Sequence, residues 1–97
     1  DAGFRTLEAH SAQQAIDLLE KGERVDVVFS DVQMPGMDGF QLQRWIREHR
    51  PRMKVLLASG VENVKAASGH MGPPRWLIFK PYSSNDLEQR IRDLLRG

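Results

Sequence analysis

The run Val25-Asp26-Val27-Val28-Phe29-Ser30 is almost unbroken in apolar character. It is too short for a core helix, and it lacks the polar alternation of a strand wetted on one side. It therefore predicts a strand covered on both faces, the kind found in parallel sheets with helices laid over each side. Two similar runs follow, Val55 to Ala58 and Trp76 to Phe79, and a shorter mixed one, Phe4 to Ala9, comes before.

The segments between these runs carry helix signals. Ser11 offers an N-cap with Gln14 at the capping-box position, Ala12, Ala15, Ile16 and Leu19 recur at helical spacing, and Gly22 stops the helix. Asp38 caps a second helix whose Leu42, Trp45, Ile46 and His49 share a face, and Pro51 forbids its continuation. A weaker helix is expected over Val61 to Ser68, before the Gly72-Pro73-Pro74 cluster. Ser83-x-x-Asp86 is a second capping-box pattern, opening a helix with Leu87, Ile91, Leu94 and Leu95 on one side. Strands alternate with helices, so a parallel sheet follows, and parallel strands all end at one edge.

That edge gathers the chemistry. Asp31, Ser59 and Lys80 each close a separate apolar run, which brings a carboxylate, a hydroxyl and an ammonium to the side where open parallel sheets keep their sites. Asp31 alone is also an ordinary strand-ending, turn-starting acid, and Ser59 an ordinary strand-end hydroxyl. Lys80, between four apolar residues and Pro81, is poorly placed as a casual surface charge. Asp26 starts the strand that Asp31 ends, roughly 16 Å away at strand rise, and cannot share the site. Asp17, Asp86 and Asp93 read as helix-surface charges, and His10, His49 and His70 lack ligand spacing.

Composition narrows the classes further. With 97 residues and 40% hydrophobic content, the chain fits one small domain, residues 1–97. A net charge of +1 gives no support to a direct nucleic-acid or membrane partner. There is no cysteine, which excludes disulfides and thiolate chemistry and fits a cytoplasmic setting. No apolar stretch approaches the roughly 20 residues of a membrane span.

Asp31-x-x-Met34-Pro35-Gly36-Met37-Asp38-Gly39, together with Lys80-Pro81, closely resembles the response-regulator receiver domain of two-component signalling, and the resemblance runs from about Phe4 to Leu95. It implies a flavodoxin-like, doubly wound parallel sheet, here four βα units without the first strand and helix. It also implies that Asp31 accepts a phosphoryl group from a histidine kinase or phosphotransfer protein. In that family the residues matching Asp31 and the Gln33 backbone carbonyl bind Mg²⁺, and the Gln33 side chain would influence hydrolysis. Ser59 would bond a phosphoryl oxygen, Gly60 would let the backbone come close, and Lys80 would pair with the carboxylate. The Lys80–Pro81 bond is expected to be cis. A downstream protein would bind the surface formed by residues 61–68, 76–79 and 84–95.

Two departures stand out. The switch position, often aromatic, is Leu77; the adjacent Trp76 should face the other way. The family's opening strand, helix and acidic pair, about 20–25 residues, have no counterpart here. In the strand order 2-1-3-4-5 that opening strand is central. Its absence should leave the Phe4–Ala9 strand without a neighbour and the Val25–Ser30 strand with a bare apolar edge. These residues alone are thus expected to hold Mg²⁺ weakly or not at all, and to be loose or self-associated.

The leading expectation is a phosphorylation-dependent signalling module, at most weakly active in its own phosphorylation and dephosphorylation. A receiver-like module that binds proteins without phosphate is the alternative. A haloacid-dehalogenase-like phosphatase also uses Asp, Ser/Thr and Lys in that order, but it needs an acid two residues after the nucleophile, where this chain has Gln33. No G-x-G-x-x-G follows a strand, which disfavours dinucleotide binding. A stand-alone receiver, one from a hybrid kinase and one from a regulator all fit the sequence.

Overall fold

The computed structural model describes residues 3–33, 36–60 and 74–96. Four parallel strands form one sheet: β1 (Thr6–Ala9), β2 (Val27–Asp31), β3 (Lys54–Gly60) and β4 (Leu77–Lys80), in the spatial order β1-β2-β3-β4. Three helices are described, α1 (Ala12–Glu20), α2 (Gly39–His49) and the last one, here α3 (Ser84–Leu95). The helix expected over Val61 to Ser68 lies outside the described residues.

Each helix begins where its capping residue says it should. The Ser11 hydroxyl accepts from the Gln14 N–H, while the Gln14 side chain accepts from the His10 N–H. Asp38 with Gln41, and Ser83 with Asp86, form complete capping boxes. Such caps are worth about 1 kcal/mol each.

The pattern of apolar residues sorts the helices into two layers. On one face Ala12, Ala15, Ile16 and Leu19 of α1 and Leu42 and Ile46 of α2 pack with Val28, Val55, Leu57 and Leu77. On the other, Ile91 and Leu94 of α3 cover Val27, Phe29, Leu56, Ala58 and Ile78. The strand alternation is visible in this division: Val28 and Val27, adjacent in sequence, belong to opposite layers. Each strand after β1 adds to the same side of its predecessor, so right-handed crossovers would carry α1 and α2 over one face. The last helix returns across the other face, which covers the sheet on both sides.

Three expectations need correction. The Phe4–Ala9 strand is not left without a neighbour. Thr6 to Ala9 pair directly with Val27 to Ser30, from Thr6↔Val27 to Ala9↔Ser30. The backbone groups along an apolar strand edge must find partners, and β1 supplies them. The pairing is extended beyond the strand by Asp26, whose carboxylate accepts from the Arg5 N–H at 2.8 Å and whose own N–H donates to the Arg5 carbonyl at 2.8 Å. Trp76, expected to face away from Leu77, packs against both apolar layers, because it precedes β4 rather than belonging to it. In α2, His49 is exposed and not part of the buried stripe; its ring stacks on Trp45 at 4.3 Å and 14°.

Leu56 is fully buried between β2, β4 and α3. Leu56→Ala should lower the unfolding free energy by about 2–5 kcal/mol, the range for cavity-forming core truncations. Urea denaturation followed by circular dichroism checks this.

Candidate functional site

Asp31 is the last residue of β2, and its side chain leaves the sheet on the same parity as Val27 and Phe29, the α3 side. Lys80 ends β4 with the parity of Ile78, also the α3 side. Parallel strands and shared parity thus carry both groups to one edge and one face, across the intervening strand β3. There the Lys80 Nζ lies 2.6 Å from the Asp31 Oδ1. Both side chains are about half exposed, at 47% for Lys80 and 50% for Asp31. An ion pair this wet stabilises a fold by at most about 1 kcal/mol. Its significance is chemical: a cation held against a carboxylate that solvent and ligands can still reach. The Lys80–Pro81 peptide bond is cis.

The loop after Asp31 is held by an unusually close backbone approach. The Gly39 N–H donates to the Val32 carbonyl at 2.8 Å, which docks the start of α2 on the end of β2. A β-carbon at Gly39 would sit 2.5 Å from the Asp31 carbonyl oxygen and 2.9 Å from the Val32 Cα. Only glycine fits. The last glycine of the motif read from the sequence is therefore a packing requirement for the loop that carries Gln33.

Ser59 and Gly60 stand at the same edge. Ser59 lies one step beyond Ala58, the partner of Asp31, and Gly60 is the partner of Lys80. Ser59 is buried, its hydroxyl donating to the Gly60 carbonyl at 3.4 Å, and its parity is the opposite of Asp31's. The structure thus joins Asp31 to Lys80 and keeps the Ser59 hydroxyl on its own strand. Leu77 is buried in the layer under α1 and α2, opposite Leu57. Asp26 is at the far end of β2, as its sequence position requires.

A cleft of about 250 Å³ opens beside the acid, lined by Glu8, Ala9, His10, Phe29, Ser30, Asp31, Gln33 and Tyr82. Glu8, His10 and Tyr82 were not foreseen as site residues. Glu8 and His10 arrive only because β1 pairs with β2, a non-local fact. Tyr82 had a local signal, two residues after Lys80. Its ring meets Phe29 edge-on, centroids 5.8 Å apart at 79°, which holds it at the wall of the cleft. Burial raises the phenol pKa, the negative charges of Asp31 and then Glu8 raise it further, and Lys80 pulls it back. The phenol is therefore neutral near pH 7 and can donate a proton to a hydrogen bond.

Mg²⁺ takes six oxygen ligands in near-octahedral geometry. Among the described residues no three acidic or imidazole side chains gather to hold an ion. Asp31, Glu8 and Gln33 offer oxygens in the cleft, which is short of a complete site.

A larger cleft, about 750 Å³, lies at the other end of the sheet. Its polar groups serve the fold: Asp26 holds the Arg5 backbone, and the Arg50 guanidinium donates to the His49 and Leu19 carbonyls near the ends of α2 and α1.

The molecule is thus a parallel α/β protein with a carboxylate–lysine pair at the carboxyl edge of its sheet. The family model of the response regulator receiver domain matches residues 1–92, and the chain belongs to that family of phosphorylation-dependent, two-component signalling modules. It is 34% identical over 95 residues to the sensor kinase CckA of Brucella abortus, covering 96% of this chain and 10% of that protein. It is 33% identical over 95 residues to the transcriptional regulatory protein CpxR of Escherichia coli, covering 97% of this chain and 40% of the relative. The chain thus spans less than half the length of either relative. Among solved structures, a receiver domain protein from Clostridium thermocellum superposes with a TM-score of 0.76 at 26% identity, over 98% of this chain and 77% of that one. A receiver protein from Sinorhizobium medicae gives 0.70 at 29% identity, over 90% and 70%. Receiver domains are generally non-enzymatic, interact with histidine kinases and bind Mg²⁺ for phosphorylation. No helix among the described residues is long and apolar enough to cross a membrane.

Gly39→Ala should cost about 1–3 kcal/mol, because the atoms it would strike are backbone and cannot turn aside. Chemical denaturation measures the loss. Asp31→Asn should bring the Tyr82 pKa down towards its ordinary value, since removing a nearby negative charge eases ionisation of the phenol. The remaining elevation would come from burial and Glu8. Ultraviolet titration of the phenol in both proteins checks the direction.

Proposed function

We propose that Asp31 is the phosphoryl acceptor of a cytoplasmic signalling domain comprising residues 1–97. The observation that carries this reading is the Lys80 ammonium 2.6 Å from the Asp31 carboxylate, at the open edge of the sheet. A solvated carboxylate is a competent nucleophile towards phosphorus. The donor is a phosphohistidine on a histidine kinase or phosphotransfer protein. An Asp31 oxygen bonds to phosphorus as the phosphorus–nitrogen bond breaks, and the imidazole leaves with that electron pair and takes a proton. Charge spreads over the phosphoryl oxygens during transfer, so the gain comes from positioning and positive charge rather than from covalent help. Lys80 supplies a fixed charge of that kind. Of this chain's residues, Asp31 and the Gln33 backbone carbonyl would hold Mg²⁺, which supplies further neutralisation. The Gln33 side chain, at the wall of the cleft, is placed to affect the approach of water to the acyl phosphate.

Gain of a phosphoryl group puts two negative charges where one stood. The Lys80 pair must then readjust, and the Ser59 hydroxyl can turn from the Gly60 carbonyl towards the new oxyanion. Leu77, beneath this edge, would transmit the change by repacking rather than by an aromatic rotamer. The downstream protein would meet residues 76–79, α3 and residues 61–68. Any catalysis by the domain itself would be confined to its own phosphorylation and dephosphorylation. Its relatives include a sensor kinase and a transcriptional regulatory protein, which supports a receiver serving a larger signalling chain.

The test uses the protein with its native flanking sequence, incubated with acetyl phosphate and Mg²⁺ and analysed by intact mass. The parent should gain one phosphate, Asp31→Asn should gain none, and Lys80→Ala should gain it at least tenfold more slowly, about 1.4 kcal/mol or more in barrier. An equal gain by Asp31→Asn would move the acceptor elsewhere. A parent that stays unlabelled but still binds its partner would favour the phosphate-independent alternative.

A further inference from the structure

We propose that the contact between the Phe40 and Trp76 rings holds α2 in the arrangement that goes with an unoccupied Asp31, and yields when the acid takes up its phosphoryl group. The proposal rests on the reading of Asp31 as acceptor and goes beyond it by making the start of α2 part of the response.

Two chain segments lead away from the Asp31–Lys80 pair. From Asp31 the chain runs to Gly39, whose N–H returns to the Val32 carbonyl at 2.8 Å and whose Cα leaves no room for a β-carbon beside the Asp31 carbonyl. Phe40 is the next residue, in the first turn of α2. From Lys80 the chain runs back along β4 to Leu77, buried opposite Leu57. Trp76 comes next, and its carbonyl accepts from the Leu57 N–H at 2.7 Å. There the two segments meet again: the Phe40 and Trp76 rings lie edge to face, centroids 6.2 Å apart at 84°. Ion pair and ring pair thus close one circuit across β3, the strand that separates β2 from β4. The circuit uses only β2, β3, β4 and α2, and β1 takes no part in it.

Its members differ in how firmly they are held. Gly39 is wedged against backbone, and Trp76 is packed against both apolar layers. Phe40 is 46% exposed, so its ring can be displaced without opening a cavity in the core. An edge-to-face pair gains from a defined ring geometry and not from apolar burial alone. When Asp31 gains a doubly charged group, Lys80 and the backbone after the acid readjust, and both shifts end on this ring pair. The contact is made while Asp31 is paired with Lys80, so it favours the unoccupied arrangement. Linkage makes the effect mutual: a group that costs the chain this contact binds more tightly once the contact is gone.

The test uses the protein with native flanking sequence, carrying Trp45→Phe so that Trp76 is the one tryptophan left among these 97 residues. Beryllofluoride with Mg²⁺ serves as the phosphoryl mimic. Its binding should change the tryptophan fluorescence, and the change should vanish when Trp76→Phe is added. Phe40→Leu removes the ring from a half-exposed position, so the circular dichroism should be unchanged while beryllofluoride binds about two- to tenfold more tightly. Phe40→Tyr keeps the ring and should bind as the parent does. A Trp76 signal that beryllofluoride leaves unchanged would overturn the proposal while leaving Asp31 as acceptor. So would equal or weaker binding by Phe40→Leu, or a Phe40→Tyr that behaves like Phe40→Leu. Failure of the parent to bind beryllofluoride would overturn the acceptor reading and this proposal with it.

Discussion

Everything in this molecule hangs on β2. Its Val27, Val28 and Ser30 are shut away from solvent on both sides, and it pairs along its length with β1 and β3. A strand in that position cannot slide by one residue, since the slip would exchange its two apolar faces and strand both helix layers. Asp31 is simply the first residue of β2 to emerge. Its place at the rim is therefore enforced by the burial of the residues before it, and the site inherits the rigidity of the core.

The rim also shows how proximity and exposure divide the work. The same two charges placed in the interior would need their desolvation offset by an excellent geometry, and the acid would be closed to any incoming group. At half exposure the pair contributes little to stability and leaves the carboxylate accessible. Gly39 complements this arrangement from below. By letting α2 begin directly against the carbonyl of Asp31, it ties the start of the helix to the backbone that carries the acid.

Local chemistry made most of the fold legible. The continuous apolar runs marked the buried strands, and Ser11, Asp38 and Ser83 marked helix starts, because capping depends on residues three apart. Chain order alone sent Asp31 and Lys80 to one edge. Pairing partners were another matter. Which strand lies beside Val27–Asp31 depends on what else is available to satisfy its edge, and no window of sequence around Thr6–Ala9 contains that information. Glu8 and His10 joined the cleft by the same non-local route. The Ser59 hydroxyl was placed at the correct edge, but its orientation followed from strand parity continuing to Gly60, where serine and glycine obscured the end of β3. Trp76 was misjudged because alternation applies within a strand, and it stands just outside one.

The order β1-β2-β3-β4 has a consequence for how the chain reaches this state. Each strand lies beside the one before it in sequence, so assembly can proceed by adding one crossover at a time to an already paired edge. Among the described strands, none is inserted between two others that precede it in sequence. Since the entropic cost of closing a loop grows only logarithmically with its length, these successive closures differ little from one another. The sheet can therefore grow in the direction of synthesis, with β2 gaining its second neighbour as β3 emerges, and the acid at its tip meets its lysine only at the final step.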